Sequence, residues 1–499
     1  MKRMPFFLMG VCMLLLSACS PDREQQGAEL SRTYCASCHV YPEPSLLDKR
    51  SWFDGVLPSM GPRLGMTFYR AEQYMYNTSD ALVPKGLYPK EPVMSQEEWE
   101  LIVEYMVHHA PDSLTPAPVA EIPVRDDQFE VLTPEAVNDH PATTAWIEIN
   151  AEKHQVELSS GTPFLYEVYD QSLRRVSKQS TTRVLTGRIH QREGGMTALL
   201  MGQLTPNDVR SGQLQRWKAG TGAPDVWLDS LERPVDMQVT DLNGDGRQDY
   251  LICNFGNFTG SLAWYEENAD ASLKAHPLRQ LPGAMMTRIV DVNQDSKPDI
   301  LALMAQGDEG IYLFVNAGDG KFESRPLLRF SPVYGSTSIE VADMNGDGHL
   351  DIVYTCGDNA DYSKVLKPYH GVYVYLNDGQ WNFSEKYFFP VNGCFKAQVR
   401  DFDLDGDIDI ATIAYFPDFV GRPKESFVLL TQTAPMQFDA STVSCYAGGH
   451  WLTMDAGDLD GDGDEDIVLG NMSLGPVNMP TGQQWRGTPS FYLLRNRAR

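Results

Sequence analysis

The residues with the clearest chemical potential stand near the start of the chain, in Cys35-Ala-Ser-Cys38-His39. Two thiols separated by two residues and followed at once by an imidazole form the Cys-x-x-Cys-His attachment sequence of c-type haem. The thiols can add to the two haem vinyl groups, and His39 then reaches the iron as its proximal ligand. A redox dithiol or half of a zinc site are the rival interpretations. The first needs a thioredoxin-like βαβ setting and the second needs another ligand pair, and the surrounding sequence suggests neither.

Haem attachment of this kind requires export, and the first 20 residues are typical of an export signal. Lys2 and Arg3 precede an apolar run of 11 residues, Phe6 to Leu16, which is too short to span a bilayer. Leu16-Ser-Ala-Cys19 resembles the bacterial lipobox, which implies cleavage before Cys19 and its diacylation. An ordinary signal peptide with an incidental cysteine is the alternative. We therefore expect a lipoprotein signal peptide at residues 1–18 and an extracytoplasmic protein, lipid-anchored to the periplasmic face or the outer-membrane surface.

Two predicted helices flank the haem-attachment sequence. Gly27 to Tyr34 is typical of a helix leading into it, and Ser95-Gln-Glu-Glu98 matches the capping box that begins a second helix. Apolar residues follow Ser95 at helical spacing. Two helices that cross beside a haem, with a Pro-, Gly- and Met-rich stretch between them, resemble the class I cytochrome c domain over about residues 24–112. The resemblance implies a small all-α domain with one covalent haem c that transfers electrons.

The sixth iron ligand is expected from the stretch between the helices. We choose Met60, because a Met next to Pro58 and Gly61 lies on a turn that can face the haem. Thioether ligation raises the reduction potential and suits electron transfer. Since a Met more often packs in a core, competitors remain. They are Met66, Met75 and Met94, with His108 and His109 as weaker options at the end of the second helix.

Beyond a Pro-rich linker at residues 113–128, one nine-residue pattern recurs five times at spacings of 50, 52, 58 and 57 residues, the length of a propeller blade. Oxygen ligands at positions 1, 3, 5 and 9 of a tight turn suit Ca²⁺, and a glycine at position 6 permits a positive φ. An EF-hand would place its last acid at position 12 between helices, whereas these flanks alternate as strands do. Ser296 replaces the glycine in the second loop. The predicted metal ligands are Asp241, Asn243, Asp245 and Asp249; Asp291, Asn293, Asp295 and Asp299; Asp343, Asn345, Asp347 and Asp351; Asp401, Asp403, Asp405 and Asp409; and Asp458, Asp460, Asp462 and Asp466.

The acidic pattern and the strands around it resemble the FG-GAP/VCBS repeats of integrin α-subunit propellers over about residues 233–499. That resemblance implies four-stranded blades with up to five Ca²⁺ ions. Residues 142–232 are rich in strand patterns without the acids, and we interpret them as two further blades, which makes seven. The last blade lacks a fourth strand, and Phe129–Leu132 is expected to supply it, because closure removes an exposed edge. The predicted fold is therefore multidomain: a small all-α cytochrome c domain followed by an all-β seven-bladed propeller at residues 129–499.

The function that best fits these parts is a membrane-anchored electron carrier with a redox partner protein, whose propeller binds a protein or a glycan. The alternatives are a propeller-borne dehydrogenase that passes electrons to its own haem, and an adhesion or scaffold lipoprotein. We favour a protein that is not an enzyme, because no Ser/His/Asp cluster or second cofactor motif is evident. A net charge of −26 argues against nucleic acid as a partner. The four remaining cysteines are expected as free buried thiols or disulfides, without a Cys253–Cys356 bridge: Cys253, Cys356, Cys394 and Cys445.

Overall fold

The computed structural model describes residues 22–66, 85–118, 120–135, 140–190, 195–218, 224–360, 363–474 and 487–499. The signal peptide, Cys19 and Met75 therefore lie outside the described residues. A helical N-terminal region precedes strands that form seven antiparallel sheets of four strands each. None of the described helices is long and apolar enough to cross a membrane.

The N-terminal region is built on two longer helices and several single turns. Helix α1 is Arg23–Cys35, α2 is Leu57–Met60 and α3 is Gln96–His109. The capping box begins α3: Ser95 Oγ accepts a hydrogen bond from the Glu98 amide (3.3 Å), and Glu98 Oε2 accepts one from the Ser95 amide (2.7 Å). Shorter helical turns cover Pro44–Leu46, Ser51–Val56 and Gly61–Leu64.

The strands follow in chain order. The first is β1 (Phe129–Leu132). Blade 1 contains β2 (Thr144–Asn150), β3 (Gln155–Gly161), β4 (Phe164–Asp170) and β5 (Arg175–Ser180). Blade 2 contains β6 (Leu185–His190), β7 (Met196–Leu200), β8 (Gly212–Trp217) and β9 (Asp225–Leu231). Blade 3 contains β10 (Pro234–Thr240), β11 (Asp249–Asn254), β12 (Ser261–Glu267) and β13 (Leu273–Arg279).

The remaining four blades repeat this order. Blade 4 contains β14 (Ala284–Val290), β15 (Asp299–Met304), β16 (Gly310–Gly318) and β17 (Lys321–Arg329). Blade 5 contains β18 (Ser336–Ala342), β19 (Asp351–Cys356), β20 (Gly371–Asn377) and β21 (Phe383–Pro390). Blade 6 contains β22 (Cys394–Arg400), β23 (Asp409–Ala414), β24 (Phe427–Ala434) and β25 (Gln437–Ser441). Blade 7 contains β26 (Trp451–Gly457), β27 (Asp466–Asn471) and β28 (Phe491–Asn496), and its outer strand is β1.

These sheets form a seven-bladed β-propeller, which confirms the expected blade number. The first strands of successive blades contact one another, and β26 contacts β2 to close the ring. Strand β1 pairs antiparallel with β28, from Phe129 opposite Asn496 to Leu132 opposite Leu493. The last blade therefore combines the two ends of the propeller sequence, so its fourth strand does not leave an open edge.

Chain direction divides the loops between two faces of the propeller. Because neighbouring strands are antiparallel, the loops after the first and third strands of a blade lie on one face, and the loops after the second and fourth strands lie on the other. All five acidic loops follow first strands, so they share one face, which we name the acidic-loop face. The other is named the opposite face.

The Pro-rich segment at residues 113–128 is fixed along blade 6. Thr442 donates from its amide to Pro123 O (2.9 Å), and the Arg125 amide donates to Thr442 O (2.7 Å). The Arg422 guanidinium donates to Ala117 O (2.8 Å), and Ile122 is buried among apolar side chains of blades 5 and 6. These contacts hold the described part of the segment in one path from the helical region to β1.

Candidate functional sites

The Cys-x-x-Cys-His sequence lies where α1 ends. Cys35 is the last residue of α1, and residues 36–40 form turns. Cys35 is half-buried and Cys38 is exposed, and neither thiol is in a disulfide within the part of the chain that is described. Burial raises the pKa of the Cys35 thiol to about 11. Both sulfurs are therefore present as unpaired groups on one short segment.

The His39 side chain is held in the form that a metal ion requires. Its Nδ1 lies 2.9 Å from Val40 O. Since a carbonyl oxygen can only accept, Nδ1 carries the proton and Nε2 keeps the lone pair. Burial lowers the pKa of His39, the Asp308 carboxylate opposes that effect, and the Arg329 and Arg63 guanidinium groups reinforce it. A neutral imidazole with an available Nε2 is the ligating form.

A close helix crossing fixes the segment that carries these residues. A Cβ atom on Gly27 of α1 would lie 2.5 Å from Leu101 O and 2.8 Å from Tyr105 Cβ of α3. Only glycine allows the backbones to approach this closely. An ion pair joins Arg23 of α1 to Glu104 of α3 (2.9 Å), and His109 Nε2 lies 2.9 Å from Glu24 Oε1.

The methionines of this region differ in their surroundings. Met66 and Met94 are buried in the apolar core of the helical region, together with Trp52 and Trp99. Met60 ends α2, is half-buried and does not belong to that core among the described residues. Met60 is therefore placed outside the buried core that contains Met66 and Met94.

One buried polar atom of this core is left without a partner. Trp99 is 1% exposed, and its Nε1 has no hydrogen-bond acceptor among the described residues. Buried N–H groups are nearly always hydrogen-bonded, so this N–H is available to an acceptor outside the described residues. Two free thiols and a neutral histidine on one short segment fit a covalently attached haem, and Met60 and Trp99 belong to the same helical region.

The helical region packs against the opposite face of the propeller. Tyr369, between β19 and β20, donates from its hydroxyl to Leu46 O (2.9 Å). Val333 and Val365 of the propeller pack against the helical core, and the Arg63 guanidinium lies 5.8 Å from the centre of the Phe258 ring. The helical region that carries the Cys-x-x-Cys-His sequence therefore lies on the opposite face from the acidic loops.

The five acidic loops share one backbone conformation. The residues at positions 4 and 6 have positive φ in every loop, including Ser296 at 63° where the others have glycine. In each loop the position-1 carboxylate accepts a hydrogen bond from the position-6 amide, at 2.7–3.1 Å. The second loop therefore keeps the conformation despite its serine, at a backbone cost of about 1–2 kcal/mol.

In the last two loops positions 1, 3 and 5 are all carboxylates, whereas the first three loops have an asparagine at position 3. In each triad the carboxylate oxygens lie within 4.8 Å of one another, a spacing at which one hard cation could contact all three. The two triads are Asp401, Asp403 and Asp405, and Asp458, Asp460 and Asp462.

The first two loops carry a positive side chain of their own at position 7. Arg247 forms an ion pair with Asp245, and Lys297 Nζ lies 2.8 Å from Asp295 Oδ2. In the last two loops the same position is an aspartate, at 407 and 464. The first two loops therefore carry an internal positive charge that would compete with a cation, and the last two do not.

The aspartates at position 9 have a structural task that their sequence pattern did not reveal. Asp351 is fully buried and accepts from the Met344 amide (2.9 Å) and the Asn377 amide (2.8 Å). The same two bonds, to the position-2 amide and to the end of the third strand of the blade, recur at Asp249, Asp299, Asp409 and Asp466. Each position-9 carboxylate joins its loop to its blade, and any cation would use its remaining lone pairs.

A second recurring contact joins each acidic loop to the next blade. The position-2 carbonyl of every loop accepts a hydrogen bond from a side chain of the following blade, and we name these five bonds the inter-blade bonds. They are Asn316 Nδ2 to Leu242 O (2.9 Å), Trp381 Nε1 to Val292 O (3.0 Å), Gln432 Nε2 to Met344 O (3.3 Å), Asn496 Nδ2 to Phe402 O (2.7 Å) and His154 Nδ1 to Leu459 O (2.9 Å). Because the donors are of four residue types, no sequence motif could have shown them.

Blades 1 and 2 contain a buried ionic network. Glu157 is 1% exposed, forms an ion pair with Arg188 Nε (2.6 Å) and has His190 Nε2 at hydrogen-bonding distance (2.9 Å). Tyr166 and Asn150 also donate to its carboxylate. Burial alone would raise the pKa of Glu157, but the hydrogen bond from His190 and the charge of Arg188 hold it at about 2.

The four propeller cysteines are buried and unpaired among the described residues, and burial raises the pKa of each: Cys253, Cys356, Cys394 and Cys445.

Comparisons with known proteins agree with the repeat architecture. Residues 241–302 and 291–354 match the model of the FG-GAP-like repeat, which covers the first three acidic loops. A T-cell immunomodulatory protein homolog of Plasmodium falciparum (isolate 3D7) is 28% identical over 137 residues, which are 24% of this chain and only 18% of that protein. The chain therefore carries FG-GAP-like repeats within its seven-bladed propeller.

Solved structures align over most of the chain with low sequence identity. A streptogramin B lyase aligns with a TM-score of 0.45 and 12% identity, over 74% of this chain and 98% of that chain. The N-terminal domain of Nup159 aligns with a TM-score of 0.44 and 10% identity, over 76% of this chain and 99% of that chain.

Proposed function

We propose that this protein is a membrane-anchored, extracytoplasmic mono-haem c-type cytochrome that transfers electrons, and that its calcium-stabilised propeller binds a protein or glycan. The observation that carries the proposal is the state of Cys35, Cys38 and His39. Two unpaired thiols and a neutral imidazole with an available Nε2 lie on one segment, fixed by the crossing at Gly27.

Each residue has a defined part in holding the group. The Cys35 and Cys38 sulfurs would form the thioether links, and His39 Nε2 and the Met60 thioether would be the two iron ligands. The buried indole N–H of Trp99, which has no acceptor among the described residues, would be available to donate to the bound group. When bound, the haem supplies reversible one-electron chemistry. The protein fixes the ligand orientation through the His39 bond to Val40 and excludes water with the core around Trp99.

Covalent haem is tested on the full chain, expressed in a host that matures c-type cytochromes. We expect haem staining to follow the protein on a denaturing gel, with a mass increase of one haem. Cys35→Ser with Cys38→Ser should abolish both signals, whereas Cys445→Ser, a buried thiol of the propeller, should leave them unchanged. An unmodified protein without covalent haem would overturn the proposal. Cys19→Ala should move the protein from the membrane fraction to the soluble fraction.

The distal ligand has its own spectroscopic test. Met60→Ala should abolish the near-infrared charge-transfer band of Met–Fe(III) coordination, while Met94→Leu should keep it. If the band persists in the Met60 variant, another residue is the sixth ligand.

Calcium binding is tested by titration calorimetry of the metal-free protein. We expect the tightest sites to be lost in Asp401→Asn and Asp458→Asn, and only a weak site to be lost in Asp291→Asn, because Lys297 already neutralises that loop. Removing calcium should lower the melting temperature, since an ion that binds only the folded state stabilises it. An unchanged melting temperature would contradict a structural role for the ions.

A further inference from the structure

A cluster of arginines stands on the opposite face of the propeller, around a single carboxylate. Asp308, between β15 and β16, pairs with Arg279 (3.2 Å) and with Arg329, and it accepts a hydrogen bond from the Tyr312 hydroxyl (2.6 Å). The Arg279 guanidinium also lies 4.1 Å from the centre of the Tyr312 ring. The side chains are therefore held in fixed positions by one another.

The cluster has more positive charge and more donors than it uses. Two guanidinium groups share one carboxylate, which leaves a positive surplus in a chain whose net charge is −26. Arg279 Nε is buried and has no acceptor among the described residues. Guanidinium groups carry five donors in a fork that matches a carboxylate, so the cluster is suited to a further anion.

The position of the cluster relates it to the haem-attachment sequence. Arg329 ends β17, and Val333, four residues later, packs against the helical core. Arg63 of the helical region lies over Phe258, in the loop after β11 on the same face. The arginines therefore lie on the side of the propeller that meets the helical region, which carries Cys35, Cys38 and His39.

We propose that Arg279 and Arg329 of the propeller, together with Arg63, bind the two carboxylates of the haem attached at Cys35 and Cys38. This inference rests on the proposed haem attachment and adds that the propeller completes the haem site. Positive charge beside the iron stabilises the reduced state, because reduction adds an electron. The propeller then sets the reduction potential in addition to binding a partner.

The test compares the haem-loaded wild type with haem-loaded arginine variants of the full chain by anaerobic redox titration. Arg279→Gln with Arg329→Gln should lower the ratio of ferrous to ferric haem about tenfold at the wild-type midpoint, which is 59 mV for a one-electron couple. Arg325→Gln, an exposed arginine on the same strand as Arg329, removes one positive charge elsewhere, as Arg329→Gln alone does at the cluster, and should leave the midpoint unchanged. Arg329→Lys keeps the charge without the fork and should lie between the wild type and Arg329→Gln.

The outcomes distinguish this inference from the proposed function on which it rests. If the wild-type chain takes no covalent haem, both proposals are wrong. If haem is attached and the double variant keeps the wild-type midpoint, the inference is wrong and the proposed function stands. A lowered melting temperature with an unchanged midpoint would show that the cluster only joins the two regions. If the double variant does not accumulate, the single variants Arg279→Gln and Arg329→Gln decide by the same measurement.

Discussion

Blades 3 to 7 and blades 1 and 2 have the same four-stranded architecture, but their first loops are stabilised differently. In blades 3 to 7 an acidic loop follows the first strand, and its position-9 aspartate joins the loop to the third strand of the blade. Blade 1 has a short turn at Ala151–Lys153 instead. Between blades 1 and 2 the stabilising element is the ionic network around Glu157.

The difference shows that the acidic loops act between blades as well as within them. Each inter-blade bond requires the carbonyl of the position-2 residue to be held in place. The position-9 aspartate fixes that residue by accepting a hydrogen bond from its amide. The His154 bond to Leu459 O extends the series across the junction of blades 7 and 1. Calcium bound to the loops would therefore stabilise six of the seven blades through their junctions, whereas the junction of blades 1 and 2 depends on charge pairing that needs no ion.

The largest loss in the free energy of unfolding is expected when the ionic network of blades 1 and 2 is broken. Glu157→Gln removes the buried counter-charge of Arg188, whose side chain is 5% exposed, and leaves it only the partly exposed carboxylate of Glu148 at 3.2 Å. Losing one partner of a buried pair costs about 3–5 kcal/mol in the free energy of unfolding. Chemical denaturation should show this loss equally with calcium and with a chelator. Glu152→Gln, an exposed acid of the same blade, should change little.

The same network gives a pH dependence with a definite sign. The pKa of Glu157 is held at about 2 in the folded protein, below its ordinary value of about 4.3. Its stabilising contribution is therefore complete above about pH 5 and is lost as the pH falls towards 2. Unfolding curves of the wild type and of Glu157→Gln should converge over that range. A constant difference between them would contradict the depressed pKa.

An intermediate loss of stability is expected at the acidic loops, where substitutions can distinguish hydrogen bonding by position 9 from calcium binding by position 1. The Asp351 carboxylate accepts from two amides, and Asp351→Asn leaves one carbonyl oxygen for both. The free energy of unfolding should therefore fall by about 1–3 kcal/mol with or without calcium. Asp343→Asn, at exposed position 1 of the same loop, should lower stability mainly when calcium is present. Denaturation with calcium and with a chelator measures both. Equal calcium dependence of the two variants would show that position 9 is mainly a metal ligand.

The repeat itself could be predicted because its signals are local in sequence. Blade length follows from the spacing of the acidic loops, and the number of blades follows from the strand-rich residues before them. Because the last blade lacks a fourth strand in sequence order, Phe129–Leu132 could be predicted to supply it, and this segment pairs with β28 in the structure. The capping box at Ser95 is likewise a pattern of four residues.

The contacts that join the blades could not be predicted because their partners are distant in sequence. Asn316 and Leu242 are 74 residues apart, and His154 and Leu459 are 305 apart. Glu157 and Arg188 meet only because two blades lie side by side. The pattern at position 9 suggested a ligand, but the amide that it binds arrives from the third strand, whose register the sequence does not fix.

A smaller effect tests one inter-blade bond. Trp381→Phe removes the N–H that binds Val292 O (3.0 Å) and should lower the free energy of unfolding by about 1 kcal/mol. If the bond acts through the loop, part of this loss should disappear when Asp291→Asn has already weakened that loop. A double-mutant cycle in calcium measures the coupling. Strictly additive effects would show that the bond and the ion site are independent.

The smallest effect concerns the backbone of the loops alone. Ser296 adopts a φ of 63°, and glycine occupies the same position of the third loop as Gly348 with a φ of 88°. Ser296→Gly relieves the left-handed strain but raises the entropy of the unfolded chain. We therefore expect the free energy of unfolding to rise by about 0.5 kcal/mol. Gly348→Ser should lose a similar amount, and a Cβ there would meet no atom within 4 Å. The pair therefore isolates conformation from packing. If both substitutions destabilise equally, Ser296 makes a contact that compensates for its φ, and the second loop differs from the others in more than its backbone.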